Sequence, residues 1–401
     1  MLADLPIPET FGVNVHFIDE NLPQNMAYLK KSGIGWIRQD LFWDMVERRA
    51  GEYDFSAFDR LVDAAQEARI RIMFILDYSN SLYDQGTSPI SPEARAAFAR
   101  FSATAAKRYA DKEVVWEIYN EPNWSFWKPE PNVDQYIALA DEVTAAIRKA
   151  VPRALVVGPA LSGPSRDFFG FSASETFLAK VLKSKAAHDW SAITIHPYRK
   201  KDIPETVAPI LQHIRQMMRE NGLNPEKTPV LEGELGYSTW LGGVDESTQA
   251  AFAVRELLWS TVEHMPLAIW YDWQDDGPNN LNKEYRFGLL RAGNPSEEDD
   301  ADIEKPAFVA VAQMAGLLRG YRFAKAIESN SGYQFLAFTR GSDQAFALWS
   351  ETTAQDVGVS LPEGEWVVTP LLGASYDLAA TKGQTVVMSL DKMPVIVKKA
   401  E

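Results

Sequence analysis

Two stretches of the chain place carboxylates where an apolar run stops. One is Trp116-Glu117-Ile118-Tyr119-Asn120-Glu121-Pro122-Asn123; the other is Pro229-Val230-Leu231-Glu232-Gly233-Glu234-Leu235-Gly236. Carboxyl groups so placed can give and take protons or attack an electrophilic carbon. A carboxylate that faces inward costs free energy unless it is paired or functional. A plain strand–loop corner is the competing reading of Asn120-Glu121-Pro122, since Asn and Pro favour turns. Strand side chains alternate, so Glu232 and Glu234 are expected to point the same way, one pleat apart, with Glu234 nearer the open end. Glu234 is therefore the expected catalytic carboxylate. Glu232 is left as a buried partner for Arg38, a supporting residue or the alternative nucleophile.

The elements that must position these groups alternate along the chain. Short apolar runs read as strands at Phe11–Phe17, Gly35–Arg38, Arg71–Leu76, Val114–Tyr119, Ala154–Gly158, Ala192–Ile195, Pro229–Leu231 and Leu267–Trp270. Between them, apolar residues recur at three- and four-residue spacing, which predicts helices over Phe58–Ala68, Pro92–Tyr109, Val133–Ala150, Val207–Asn221 and Thr248–His264. A last helix is expected near Pro306–Leu318, with Pro306 in its first turn and Gly320 past its end. Eight such repeats define an α/β (β/α)8 TIM barrel, in which catalytic residues close the C-terminal ends of the strands. A doubly wound sheet would carry a glycine-rich phosphate turn after its first strand, and Gly12-Val13-Asn14-Val15 is not one.

After Gly320 the texture changes to short runs such as Phe335-Leu336-Ala337-Phe338 and Ala345-Phe346-Ala347-Leu348-Trp349, separated by Gly, Pro, Asp and Ser. The expected division is a barrel over 1–320 and a small antiparallel β-sandwich over 321–401 that packs on the barrel as a structural domain. Glu297-Glu298-Asp299-Asp300 is expected on a solvated loop, and the segment Gln274–Asp302 as a wall of the cleft.

Composition narrows the ligands. A formal charge of −15 excludes a general nucleic-acid surface, disfavours anionic membranes and would repel polyanionic substrates unless a local basic cleft exists. There is no cysteine, so thiolate metal sites and a cysteine nucleophile are excluded. The five histidines are scattered, without a His-x-His pair, and no phosphate loop or dinucleotide fingerprint appears, so neither metal nor cofactor is expected. No apolar run approaches the ~20 residues of a membrane span. The segment Met1-Leu2-Ala3-Asp4-Leu5-Pro6 lacks the character of a secretory signal. The expectation is a secreted or periplasmic protein shown here without its leader, with a cytoplasmic location as the alternative.

Taken together, Asn120-Glu121-Pro122 on the fourth strand and Glu234-Leu235-Gly236 on the seventh resemble the signature of clan A glycoside hydrolases. The Trp116–Asn123 stretch, His196-Pro197-Tyr198, and Gly33-Ile34-Gly35-Trp36-Ile37-Arg38-Gln39-Asp40 with Trp43 following are similar to family 39 and its bacterial exopolysaccharide-hydrolase relatives. The resemblance implies retaining cleavage of β-linked oligo- or polysaccharides, with Glu121 as acid/base and Glu234 as nucleophile. It gives Asn120 a sugar 2-hydroxyl to bind, Arg38 the task of orienting and ionising Glu234, and His196 and Tyr198 the surrounding polar network. An ionised Glu234 nearby would help Glu121 keep its proton. Plainer readings are a satisfied buried histidine for His196 and an interior ion pair for Arg38. Asn14 and His16 end the first strand as pocket candidates. Among loop aromatics, Trp43, Trp124 and Trp127 are candidate sugar platforms, and Trp270 and Trp273 the candidate floor of a sugar subsite, against the plainer reading of packing residues. A transglycosylase with the same carboxylates, or a non-catalytic carbohydrate-binding barrel, are the alternative functions.

Overall fold

The computed structural model describes residues 5–18, 21–163, 173–293, 303–327 and 332–400. Eight parallel strands close into a barrel in chain order: β1 (Phe11–Asn14), β2 (Trp36–Phe42), β3 (Arg71–Asp77), β4 (Val115–Ile118), β5 (Leu155–Ser162), β6 (Ala192–His196), β7 (Val230–Leu235) and β8 (Ala268–Trp270). β8 pairs back onto β1, so no edge is left open. The helices fall where the periodicity puts them, within two residues at either end, as in Val133–Ala150 and Glu246–Val262. The second of these starts at Asp245, whose side chain accepts from the Thr248 amide. Helices over Leu22–Ser32, between β1 and β2, and over Ala173–Val181 and Lys185–Asp189, between β5 and β6, lie beyond those the spacing marks.

Alternation sorts the strand residues into two cores. Trp36, Met73, Val115, Val157, Ala192, Leu231, Leu267 and Ile269 fill the bore. Their neighbours Ile37, Phe74, Trp116, Val156, Ile193, Val230, Ala268 and Trp270 face outward against the helices. The bore is thus plugged by apolar side chains low down, and the polar groups of the next pleat, Arg38 above Trp36 and Glu117 above Val115, sit on that plug.

Two bulges break the alternation. Between Glu232 and Leu235 three steps along β7 are matched by two along β8, from Ala268 to Trp270. Between Gly158 and Leu161 on β5 the same offset occurs against Ile193 and Ile195 of β6. A bulge inserts one residue and re-aims the side chains beyond it.

Beyond the helix Pro306–Leu317 come β9 (Arg322–Ala326), β10 (Tyr333–Arg340), β11 (Asp343–Ser350), β12 (Gln355–Val359), β13 (Gly364–Pro370), β14 (Tyr376–Ala380), β15 (Val386–Leu390) and β16 (Val395–Lys399). They form a six-stranded sheet in the order β14-β13-β16-β11-β10-β9 and a two-stranded ribbon of β12 and β15. On the sheet, Phe335, Phe346, Leu348, Trp366 and Val397 pack with Val357, Val359, Met388 and Leu390 of the ribbon. The alternate residues Leu336, Phe338, Ala347, Trp349 and Ile396 join the core of the barrel's helical shell. Large side chains buried this way each contribute about 1.5–3 kcal/mol, so the sheet is fastened to the barrel by its own period-two pattern. The acidic run Glu297–Asp300 lies outside the described residues.

Candidate active site

Arg38 is the centre of the polar layer above the plug. It is 1% exposed, and its guanidinium donates from Nε to Glu117 Oε2 at 2.7 Å, from Nη1 to Asn14 Oδ1 at 2.8 Å and Glu234 Oε1 at 2.7 Å, and from Nη2 to Asn120 Oδ1 at 2.9 Å. One planar fork therefore ties together the ends of β1, β2, β4 and β7. Burial alone would lower the Arg38 pKa, but the carboxylates of Glu117 and Glu234 outweigh it and raise it.

Glu234 has two further polar neighbours. The Tyr198 hydroxyl donates to its Oε2 at 2.8 Å, and His196 Nδ1 lies 3.5 Å from the same oxygen. Burial pushes this carboxyl up, yet His196, Arg38 and the Tyr198 hydrogen bond together hold it below the usual carboxylate range. The Tyr198 hydroxyl is correspondingly raised by burial and by the Glu234 charge. Glu234 is a carboxylate kept ionised in a buried setting.

Glu121 stands across the opening. Its Oε1 lies 2.9 Å from His196 Nδ1, which is its only side-chain partner among the described residues. Its backbone is left-handed, with φ 43°, as is that of Tyr119 at 66°, a conformation that costs on the order of 1 kcal/mol in a non-glycine residue. The turn is pinned by the Glu121 amide, which donates to Ala160 O in the β5 bulge at 3.0 Å. Ligating atoms of Glu121, His196 and Glu234 all lie within 4.8 Å of one another. Such a set could hold a cation, but Arg38 and Tyr198 already engage both oxygens of Glu234.

The rim comes from the remaining strands. Asn120 Nδ2 donates to the Tyr78 hydroxyl beyond β3 at 3.0 Å. His16 is nearly half exposed after β1, with Nε2 3.6 Å from Asp272 Oδ2. The half-buried ring of Tyr271 lies 5.8 Å from His16, 6.3 Å from Tyr198 and 5.4 Å from Phe287. Gly236 makes this approach possible, because a Cβ there would sit 2.2 Å from Tyr271 O.

The structure brings together Asn14, Arg38, Asn120, Glu121, His196, Tyr198 and Glu234, with His16 at the mouth and Trp124 60% exposed beyond β4. Four tryptophans are elsewhere. Trp43 stacks on Tyr83 and donates to Glu47 Oε2 at 2.5 Å; Trp127 is enclosed and donates to Gln135 Oε1 at 3.1 Å. Trp270 faces outward beside Tyr237, and Trp273 donates to Asn25 Oδ1 at 2.9 Å against Phe308. The expected floor of Trp270 and Trp273 is therefore corrected. Ile269 points into the bore and Trp270 away from it, so the next residue, Tyr271, is the aromatic that reaches the cleft.

Glu232 is the second correction. It does not share the face of Glu234 and does not meet Arg38. It is 1% exposed on the outer side of β7, where Glu256 of the helix Glu246–Val262 and Arg199 act on it. The bulge between Glu232 and Leu235 supplies the reason, since one extra residue turns Glu234 inward. Besides Glu234, the buried acid that pairs with Arg38 is Glu117, two residues above Val115 of the plug. The β4 alternation alone marks its inward position.

Comparison with known proteins bears on the family and the fold. The cellulase family, glycosyl hydrolase family 5, matches residues 4–276. A β-xylosidase of Geobacillus stearothermophilus is 24% identical over 230 residues, 51% of this chain and 45% of that protein. The chain thus spans about half the length of this curated relative. A family 39 glycoside hydrolase from the gut symbiont Bacteroides cellulosilyticus WH2 superposes with a TM-score of 0.82 at 24% identity, covering 98% of this chain and 81% of that one. A monomeric β-xylosidase from Caulobacter crescentus CB15 does so at 0.67 and 17% identity, covering 99% and 97%. At these identities the structural likeness establishes the fold. No helix among the described residues is long and apolar enough to cross a membrane.

Proposed function

Because the chain belongs to the cellulase family, glycosyl hydrolase family 5, we propose that it is a retaining glycoside hydrolase that cleaves β-linked oligo- or polysaccharides through a covalent glycosyl intermediate. The observation that carries this reading is the unequal treatment of two facing carboxylates. Double displacement needs the two groups close together, about 5–5.5 Å apart, and an oxygen of each lies within 4.8 Å of one of the other. Glu234, ionised under Arg38 and Tyr198, is the nucleophile that attacks the anomeric carbon. Glu121, whose carboxyl meets His196, gives a proton to the leaving oxygen and then takes one from water. Asn120, held by Arg38 and Tyr78, presents its amide to the sugar, and Tyr271 offers a ring face to it.

The test is chemical rescue on aryl β-glycosides, starting with the xyloside because the Geobacillus relative is named a β-xylosidase. Glu121→Ala with azide should yield a β-glycosyl azide and Glu234→Ala an α-glycosyl azide, read by NMR of the products. Inverted product from the wild-type enzyme would remove the double-displacement reading.

A further inference from the structure

A chain of formal charge −15 suits an anionic substrate only where its field is reversed locally. One such place adjoins the nucleophile. Between the loops that follow β6, β7 and β8 lies a cavity of about 360 Å³, lined among others by Tyr198, Lys200, Lys201, Trp240, Lys283 and Phe287. Tyr198 is the side chain whose hydroxyl donates to Glu234, so one side chain links the cavity to the carboxylate. Three lysines from two loops line it, and no acidic residue does so among the described residues. Lys200 and Lys201 have no ion-pair partner among those residues. Lys283 faces Glu284 only at 3.6 Å, with both side chains more than half exposed, and its Nζ stands 5.9 Å from the Tyr198 ring and 5.4 Å from Phe287.

The Trp240 loop that also lines the cavity is held tightly. A Cβ at Gly242 would come 2.4 Å from the Trp240 ring, and one at Gly243 would come 1.9 Å from Ser238 O. Glycine at both positions lets the turn fold tightly under the indole. Backbone bonds from Thr239 to Arg286 O at 2.9 Å and from Leu241 to Asn280 O at 2.8 Å lock this loop to the one after β8. Lysines scattered on a surface are ordinarily a solvated face. Here they line a concavity together with an aromatic ring, Trp240, which is the form of a sugar subsite with a charge to recognise.

We propose that this cavity binds a sugar carrying an anionic substituent, a uronate carboxylate or a sulfate ester, with Trp240 under the ring and Lys200, Lys201 and Lys283 around the charge. This assignment rests on the glycoside-hydrolase reading of the same site.

The experiment compares four xylo-oligosaccharides: unmodified, glucuronosyl-substituted, the same after chemical reduction of its carboxyl group, and sulfated. Hydrolysis is followed with wild type and with the triple variant Lys200→Ala/Lys201→Ala/Lys283→Ala. Binding is followed by calorimetry in a Glu121→Ala background. In wild type, kcat/KM for the glucuronosyl or the sulfated substrate should exceed that of its neutral counterpart about tenfold, and 0.5 M salt should shrink the ratio. In the triple variant the ratio should fall toward one. Preference for the carboxylated form identifies a uronate and preference for the sulfated form a sulfate ester. Equal use of charged and neutral forms by wild type overturns the proposal while leaving the hydrolase intact. If wild type cleaves none of the four, the hydrolase reading is in question and calorimetry decides the cavity. Tighter binding of a charged form, lost in the triple variant, upholds it, and indifference to charge removes it.

Discussion

Strand β7 carries two glutamates two residues apart, and its two faces treat them in opposite ways. Glu234, turned into the bore, meets Arg38 at 2.7 Å and Tyr198 at 2.8 Å and stays ionised. Glu232, turned toward the helices, has neither oxygen hydrogen-bonded; burial first, and then the Glu256 carboxyl, push its pKa well up. Both are buried, so burial does not distinguish them. The difference is donors: a buried carboxylate keeps its charge only where N–H and O–H groups converge on it, and otherwise keeps its proton. The face of the strand that carries Glu234 is the one supplied with donors by neighbouring strands.

The contrast can be broken most forcefully at its two acids. Glu234→Gln should lower kcat/KM on the order of 10⁴-fold, whereas Glu232→Gln should stay within about threefold. Comparable losses in both variants, measured on one aryl glycoside, would mean the outer face takes part in catalysis. Removing the donor is next. Arg38→Ala leaves Glu117 and Glu234 without their shared cation and should cost about 3–5 kcal/mol of stability by urea unfolding. A loss below ~1 kcal/mol would show that the guanidinium is not what holds the ends of β2, β4 and β7 together.

The smallest effect sharpens the outer face. Glu256 is raised from 4.5 to about 8, by burial foremost against the opposing pull of Arg199, with Glu205 adding to the rise. A carboxyl raised in the folded state binds its proton more tightly there than in the unfolded chain. Its contribution is therefore complete below pH 4.5 and is lost as the pH climbs toward 8. Glu256→Gln should flatten this decline, so that its Tm gains about 3 °C on wild type between pH 5 and pH 8. Parallel Tm profiles for the two proteins would refute a raised carboxyl at Glu256.

Periodicity was enough to read the barrel, because each strand buries both faces and each helix one, and those demands write themselves into apolar spacing. Val133–Ala150 is a helix over its whole marked length. The sheet beyond Gly320 was legible for the same reason, with Phe335 and Leu336, or Phe346 and Ala347, sent to opposite cores. Glu117 was equally open to reading, since it stands in register with Val115. Trp270 was misplaced because a tryptophan at a strand end suits a sugar platform and an outward core equally; only the parity of Ile269 separates them.

By itself the sequence determined the element order, the plug of the bore and the positions at which Asn120, Glu121 and Glu234 close their strands, all of which follow from local periods and turn chemistry. The tertiary structure decided which of the two β7 glutamates enters the site. That choice depends on one extra residue between Glu232 and Leu235, fixed by pairing with β8 and invisible to any local pattern. It also decided that Lys200, Lys201 and Lys283, far apart along the chain, face one cavity, because convergence of loops depends on closure of the barrel.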